Sequence, residues 1–339
     1  MMRIPGPRGA IFRISQEAAN LRDYLLPLRG ITGSSRFAAP FPALPDPEKV
    51  AGQLRGTPFA GEIARLAAEI RAHRLPIFGS VWETGPEIDW RCDYPGAVST
   101  GLGYFRRIPY LDPAQVGDHK NVWEINRHQH LVVLAQDHLL HGNRESLDTL
   151  GRHLESWWQA NLYLQGINWT SALEVAFRAL SWLWVYHLAG PALSGALQAR
   201  LIEGLRRHGR FLAHNLSVYF SPNTHLLGEA VVLHAIGTLL PALPEAAGWR
   251  NTGRRIVLEQ MPVQVRPDGG YFEQSAYYHV YAVDMFLFHA LLEEPPQEYR
   301  DRLRRMGELL RALLGPDGRI PLIGDDDGGR FFYPYGRRD

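Results

Sequence analysis

The chain has 339 residues, 45% hydrophobic and 21% charged, with a formal net charge of +1. This composition excludes disordered, collagen-like and disulfide-scaffold classes, and the near-neutral balance gives no electrostatic steering towards nucleic acid. The single cysteine, Cys92, has no partner for an intramolecular disulfide and says nothing of the compartment. Among 36 basic residues only Lys49 and Lys120 are lysines. That arginine excess reads either as GC-rich coding or as bidentate recognition of carboxylate and sulfate.

Met1 to Ala10 is broken by Pro5, Gly6, Pro7 and Gly9. No later apolar run approaches the ~20 residues of a membrane span, and no secretory core follows the start. The chain therefore reads either as cytosolic or as a mature or trimmed form of an exported protein. Residues 1–117 form an irregular arm with one or two helices. Pro40, Pro42, Pro45 and Pro47 break any long element. The stripe Phe59, Ile63, Leu66, Ala67 and Ile70 predicts a helix from Pro58 to His73. Pro76 to Gly117 reads as loop and short strand.

From residue 118 to 315 the pattern changes to long amphipathic helices. Starts fall near Val122, Glu145, Trp169, Ser194, His225, Trp249, Ser275 and Glu298, at intervals of about 23 to 31 residues. Turn markers such as Gly142-Asn143, Gly190-Pro191, Pro222 and Gly269-Gly270 separate them. This spacing predicts antiparallel helical hairpins in an all-α domain. Helices apolar on more than one face, as in Ala172 to Leu188, favour a ring over an open solenoid.

Four segments concentrate chemistry at helix starts. In 118–130, Glu124 and Arg127 are spaced to pair on one helix face beside Trp123, while His128 and His130 do not share a face. In 168–178, Thr170 or Ser171 caps a helix carrying Glu174 and Arg178 at i, i+4, behind Trp169. In 221–229, Asn223 or Thr224 caps a helix on which Glu229 lies one turn from His225, spaced to fix its tautomer. In 268–279, a glycine turn leads through Glu273 to a cap at Ser275 and to Tyr277, Tyr278 and His279. The acidic run Gly324 to Gly329 lacks the alternation of a calcium loop and reads as a solvated turn. No P-loop, dinucleotide fingerprint, Gly-x-Ser-x-Gly elbow or zinc motif occurs.

Together these segments resemble the N-terminal helical domain of the heparinase II/III-like polysaccharide lyases, a group that includes alginate lyases. The resemblance rests on Lys120 to Arg127, Asn168 to Arg178, Asn223 to Glu229 and Phe272 to His279, in order over about 160 residues. It implies an incomplete α/α toroid and cleavage of uronic-acid-containing glycans by β-elimination. It also implies a C-terminal β-sandwich outside this chain, with residues 316–339 starting the linker towards it. Part of the cleft and another catalytic histidine would come from that region.

β-Elimination removes the C5 proton of a uronate and expels the C4 oxygen. The substrate carboxylate must be neutralised, a base must take the proton, and an acid must protonate the leaving oxygen. Tyrosine serves as either once its pKa of about 10 is lowered by nearby positive charge. By resemblance, Tyr278 is the catalytic tyrosine, His225 a carboxylate neutraliser or base, and Asn223 the amide donor. In the family pattern the asparagine directly precedes the histidine. Here Thr224 intervenes, so Asn223 and Thr224 both stay candidates for the carboxylate contact. Trp123, Glu124, Arg127, Trp169, Glu174, Arg178, Glu229, Glu273, Tyr277 and His279 are expected around the substrate.

The expected partner is an anionic polysaccharide or oligosaccharide, with neither nucleic acid nor a membrane span. No cofactor and no metal site are expected of this chain; a divalent metal in a following domain stays open. The resemblance implies a periplasmic or secreted enzyme. Two other classes compete. An inverting glycoside hydrolase would need two carboxylates across one cleft, drawn from Glu124, Glu174, Glu229, Asp268 and Glu273. A non-catalytic glycan-binding domain would bind without turnover.

Overall fold

The computed structural model describes residues 6–26, 37–326 and 330–331. It divides into two compact units, one running to Asn215 and one beginning at Leu216. The last residues of the acidic run, 327–329, and residues 332–339 of the expected linker lie outside the described residues.

The first unit opens with α1 (Pro7–Leu25), α2 (Pro47–Leu54) and α3 (Pro58–Arg71). Proline in the first turn starts all three, where its missing N–H costs nothing. The α3 stripe of Ile63, Leu66, Ala67 and Ile70 is buried as its spacing requires. α1 escapes the sequence pattern because apolar residues such as Ile11, Ile14 and Leu25 stay exposed.

Two short antiparallel ladders follow. β1 (Arg74–Ile77) pairs with β2 (Ser80–Glu83), and β3 (Cys92–Asp93) with β4 (Val98–Ser99). The short α4 (Pro113–Val116) leads into α5 (His119–Ile125) and α6 (Gln129–His141). The single helix expected near Val122 is thus two. Asn126 Nδ2 donates back to the Val122 carbonyl, and His128 takes a left-handed φ of 60°. α7 (Arg144–Ala160), α8 (Ala172–Ala189) and α9 (Gly195–Asn215) complete the unit. Most of α8 is buried, as expected from its apolar faces.

The second unit comprises α10 (Thr224–Leu239), α11 (Ala246–Gln264), α12 (Ala276–Leu292) and α13 (Gln297–Leu313). From α7 onward every start lies within about three residues of its predicted place. The mostly helical architecture is the one the sequence predicts.

Glycine sets how closely α10 and α11 approach. A Cβ on Gly237 of α10 would lie 2.4 Å from the Arg250 nitrogen of α11. One on Gly253 of α11 would lie 2.4 Å from the Ala230 oxygen and 2.5 Å from the His234 nitrogen. The two helices therefore meet backbone to backbone, antiparallel. Gly253→Ala must push α11 off α10 and is expected to cost about 1–3 kcal/mol, the usual range for overpacking. Urea denaturation checks this; a midpoint equal to the parent's would contradict the close contact.

Candidate functional site

In the second unit, Asn223 caps α10, while α9 already ends at Asn215, before the proline expected to stop it, Pro222. Asn223 Oδ1 accepts from the His225 backbone nitrogen at 3.1 Å and lies 3.2 Å from His225 Nδ1. An amide oxygen only accepts, so Nδ1 carries a ring proton. His225 is exposed and Asn223 half-buried. Nδ2 remains the group Asn223 can offer outward.

Thr224 is the opposite case. It is buried, its hydroxyl lies 2.6 Å from Glu273 Oε1 and 2.8 Å from the Tyr271 hydroxyl, and its backbone nitrogen donates to Glu273 at 3.1 Å. Tyr271 in turn donates to Gln264 Oε1, and Gln264 Nε2 donates to the carbonyl of Asn223. Thr224 is thereby committed to the protein interior, and of the two candidates Asn223 is the one that faces out.

The same clamp brings the start of α12 to the start of α10. The glycine turn forms as expected: Asp268 accepts from Gly270, and Arg266 donates to the Gly270 carbonyl. Gly269 has a φ of 92°, and a Cβ there would lie 2.5 Å from the Arg305 backbone. Ser275 caps α12 by accepting from the Tyr278 nitrogen at 3.1 Å. Its hydroxyl donates to the Asp325 carbonyl, so the chain after α13 folds back on this helix start. Tyr277 and Tyr278 are half-buried in the first turn, with Arg330 over the Tyr277 ring at 4.7 Å. Asn223, His225 and Tyr278 thus all lie at helix N-termini, where Asn223, Glu273 and Ser275 accept from first-turn N–H groups.

Three expectations in this unit need correction. Glu229 does not orient His225 through Nδ1, which faces Asn223. Glu229 is fully buried and accepts from the Ser217 backbone nitrogen and hydroxyl, both at 2.7 Å. Glu273 holds Thr224 rather than lying open to a ligand. His279 turns inward, with Nε2 3.0 Å from the Met306 carbonyl of α13.

The expected residues of the first unit form a largely buried network. Arg127 donates twice to Glu174, at 2.6 and 2.8 Å, and reaches Glu124 at 2.7 Å. The Glu124–Arg127 pair and the Ser171 cap are as predicted. The Glu174–Arg178 pair is not. Arg178 is fully buried and donates to His208 Nε2 and to the carbonyls of Asn126 and Asn168. Its guanidinium lies 4.6 Å from the Trp157 ring centroid and 5.4 Å from that of Trp169. Burial lowers its pKa to about 9. Trp169 is 2% exposed among Trp157, Tyr163, His208 and Phe211. Arg178 and Trp169 are therefore core ties. Trp123 and Glu124 stay half-buried, with Trp123 against Tyr110 and His119.

Each carboxylate a hydrolase would need is engaged. Glu124 and Glu174 are neutralised by Arg127, Glu273 holds Thr224, Glu229 is buried on Ser217, and Asp268 closes a turn. Sequence reasoning missed Tyr271, Gln264 and Ser217. Nothing local marks them, since their roles lie in contacts seven to 47 residues away.

Burial raises the Glu229 carboxyl to about 8, against the Ser217 hydrogen bonds that lower it. The folded state then holds a proton that the unfolded state releases near 4.5. Stability from this group falls as pH rises from about 4.5 to about 8, then levels. Glu229→Gln is expected to flatten that slope and to melt higher than the parent above pH 8. Thermal melts of both proteins from pH 5 to 9 check it; parallel curves would contradict it.

Comparison with known proteins gives a consistent result. The family model described as heparinase II/III N-terminus matches residues 68–330. A heparin-sulfate lyase of Bacteroides stercoris is 33% identical over 132 residues, covering 37% of this chain and 20% of that protein. One of Pedobacter heparinus is 29% identical over 142 residues, covering 40% and 21%. The crystal structure of heparan sulfate lyase HepC from Pedobacter heparinus superposes with a TM-score of 0.55 at 21% identity, over 92% of this chain and 45% of that one. A heparinase III crystal structure gives a TM-score of 0.59 at 16% identity, over 95% and 48%. The chain spans about half the length of these solved lyases, and at such identities the likeness shows a shared fold.

Proposed function

The chain belongs to the heparinase II/III N-terminal family, and from that membership we propose that it works in a polysaccharide lyase that cleaves uronic-acid-containing glycans by β-elimination. The observation that carries this reading is the clamp joining two helix starts: Asn223 and His225 at one, Tyr278 at the other, tied by Thr224, Glu273 and Tyr271.

In this reading Asn223 Nδ2 and His225, the latter carrying a proton on Nε2 as well as on Nδ1, hold the uronate carboxylate. Spreading C5 negative charge into that carboxylate acidifies the C5–H bond. The Tyr278 phenolate takes the C5 proton. The electron pair left on C5 forms the C4–C5 double bond as the C4–O bond breaks, and Tyr278 returns the proton to the departing oxygen. Atoms and charge balance without added water. The relatives' names point to heparan-type glycosaminoglycan as the first substrate to test. No helix among the described residues is long and apolar enough to cross a membrane.

Incubation with heparan sulfate is expected to raise the ultraviolet absorbance of the conjugated C4–C5 double bond. Tyr278→Phe and His225→Ala should each lower that rate by about 10²–10⁴, the range for a lost acid–base or carboxylate-binding group, with the melting temperature held. Reducing ends released without absorbance would indicate hydrolysis. Binding with neither signal would indicate a glycan-binding module. Undiminished turnover by Tyr278→Phe would overturn the assignment of the tyrosine.

A further inference from the structure

At the opposite end of the α10–α12 pair, three potential metal ligands converge. His234 projects from α10, His289 from the last turn of α12, and Glu293 caps that helix one turn later. Both histidine side chains are fully buried, and Glu293 is 23% exposed. His234 Nε2 lies 3.7 Å from Glu293 Oε2, and His289 Nε2 lies 3.7 Å from Glu293 Oε1. The two rings are 4.9 Å apart, and one donor atom from each residue falls within 4.8 Å of the others.

The hydrogen-bond pattern sharpens this. His234 Nδ1 lies 3.2 Å from the Arg250 carbonyl of α11. A carbonyl only accepts, so Nδ1 carries the proton and Nε2 presents its lone pair towards the cluster. An outer hydrogen bond of this kind orients metal-binding histidines. Among the described residues, His234 Nε2 and both nitrogens of His289 have no hydrogen-bond partner. Burying three such atoms without partners is unfavourable, and an apolar side chain would fill the same space at lower cost.

We propose that His234, His289 and Glu293 form a binding site for a divalent cation of the zinc class, which pins α10 to the end of α12. Two imidazoles and one carboxylate are a common zinc donor set, and solvent on the Glu293 side supplies the fourth ligand. Bonds of about 2.0–2.1 Å place donors about 3.3 Å apart in a tetrahedral site, so the side chains draw in modestly. The charges facing the site are Arg254, whose Nε lies 2.7 Å from Glu293 Oε1, and the more distant Arg250. Arg254 is 44% exposed and can swing to solvent as the cation takes its place.

The role is structural. Along their helices, His289 stands about 16 Å from Tyr278 and His234 about 14 Å from His225, at 1.5 Å per residue. The site fixes the far ends of the two helices whose starts carry the candidate catalytic groups, and it rests on no assumption about the reaction.

The test uses the whole chain stripped of metal by chelator, then titrated with zinc chloride by calorimetry. One equivalent is expected to bind at micromolar or tighter affinity and to raise the melting temperature. Cobalt(II) should give the intense visible bands of a tetrahedral site. Glu293→Gln, at a partly exposed position, and His289→Gln should each weaken binding by about 10²-fold or more, as loss of a ligand requires, and remove the cobalt bands. The proposal is overturned if zinc shows no saturable binding. It is equally overturned if a well-folded Glu293→Gln binds zinc as tightly as the parent, since the metal then lies elsewhere.

Discussion

The hydroxyl of Thr224 is the interaction on which the candidate site depends. It sits at the first residue of α10 and is shared by Glu273 and Tyr271, both from the segment that enters α12. A buried hydroxyl without partners is unfavourable, and here two partners hold it from another part of the chain. Tyr271 passes the tie to Gln264, which in turn donates to the Asn223 carbonyl. The loop before α10, the end of α11 and the start of α12 are therefore one hydrogen-bonded body. Glu273 also puts a carboxylate at the N-terminus of α10, where it offsets the dipole. Asn223, His225 and Tyr278 take their positions from this clamp, and none of their side chains takes part in it.

The first unit solves a different problem, that of burying two arginines among aromatic rings. A buried guanidinium is tolerated only with its donors satisfied. Arg178 meets this with His208 and two backbone carbonyls, and with the faces of Trp157 and Trp169. His208 donates from Nδ1 to the Gly204 carbonyl, which leaves Nε2 to accept from Arg178. Burial lowers the pKa of His208 well below its ordinary value, so it stays neutral beside the cation. Arg127 bridges Glu124 and Glu174 in the same way. The tryptophans and charges that look like a sugar-binding wall in the sequence chiefly hold the turns before α6 and α8.

What was legible in the sequence follows from local physics. Asn143, Ser171, Asn223 and Ser275 cap helices because short polar side chains reach the N–H groups of the next turn. Gly142 ends α6 in the left-handed region, as glycine permits. These marks, with the apolar periodicity, placed the helix starts. The choice of partner was not legible. Glu174 has Arg178 one turn away, yet its partner is Arg127, 47 residues earlier. Glu229 has His225 one turn away, yet both its oxygens go to Ser217. Spacing says which residues share a face but not what that face meets, which tertiary packing decides. The division of α5 from α6 was hidden for the same reason, because it turns on one asparagine side chain and a left-handed histidine.

The most direct test of the central claim is the fate of solvent oxygen. The protein is incubated with heparan sulfate in water enriched in the heavy oxygen isotope, and the products are read by mass spectrometry. Elimination breaks the C4–O bond with no water added, so products whose new reducing ends are trapped by reduction as they form should carry a double bond and no solvent oxygen. Heavy oxygen built into the cleaved ends, at one atom per cut, would identify hydrolysis and contradict the account.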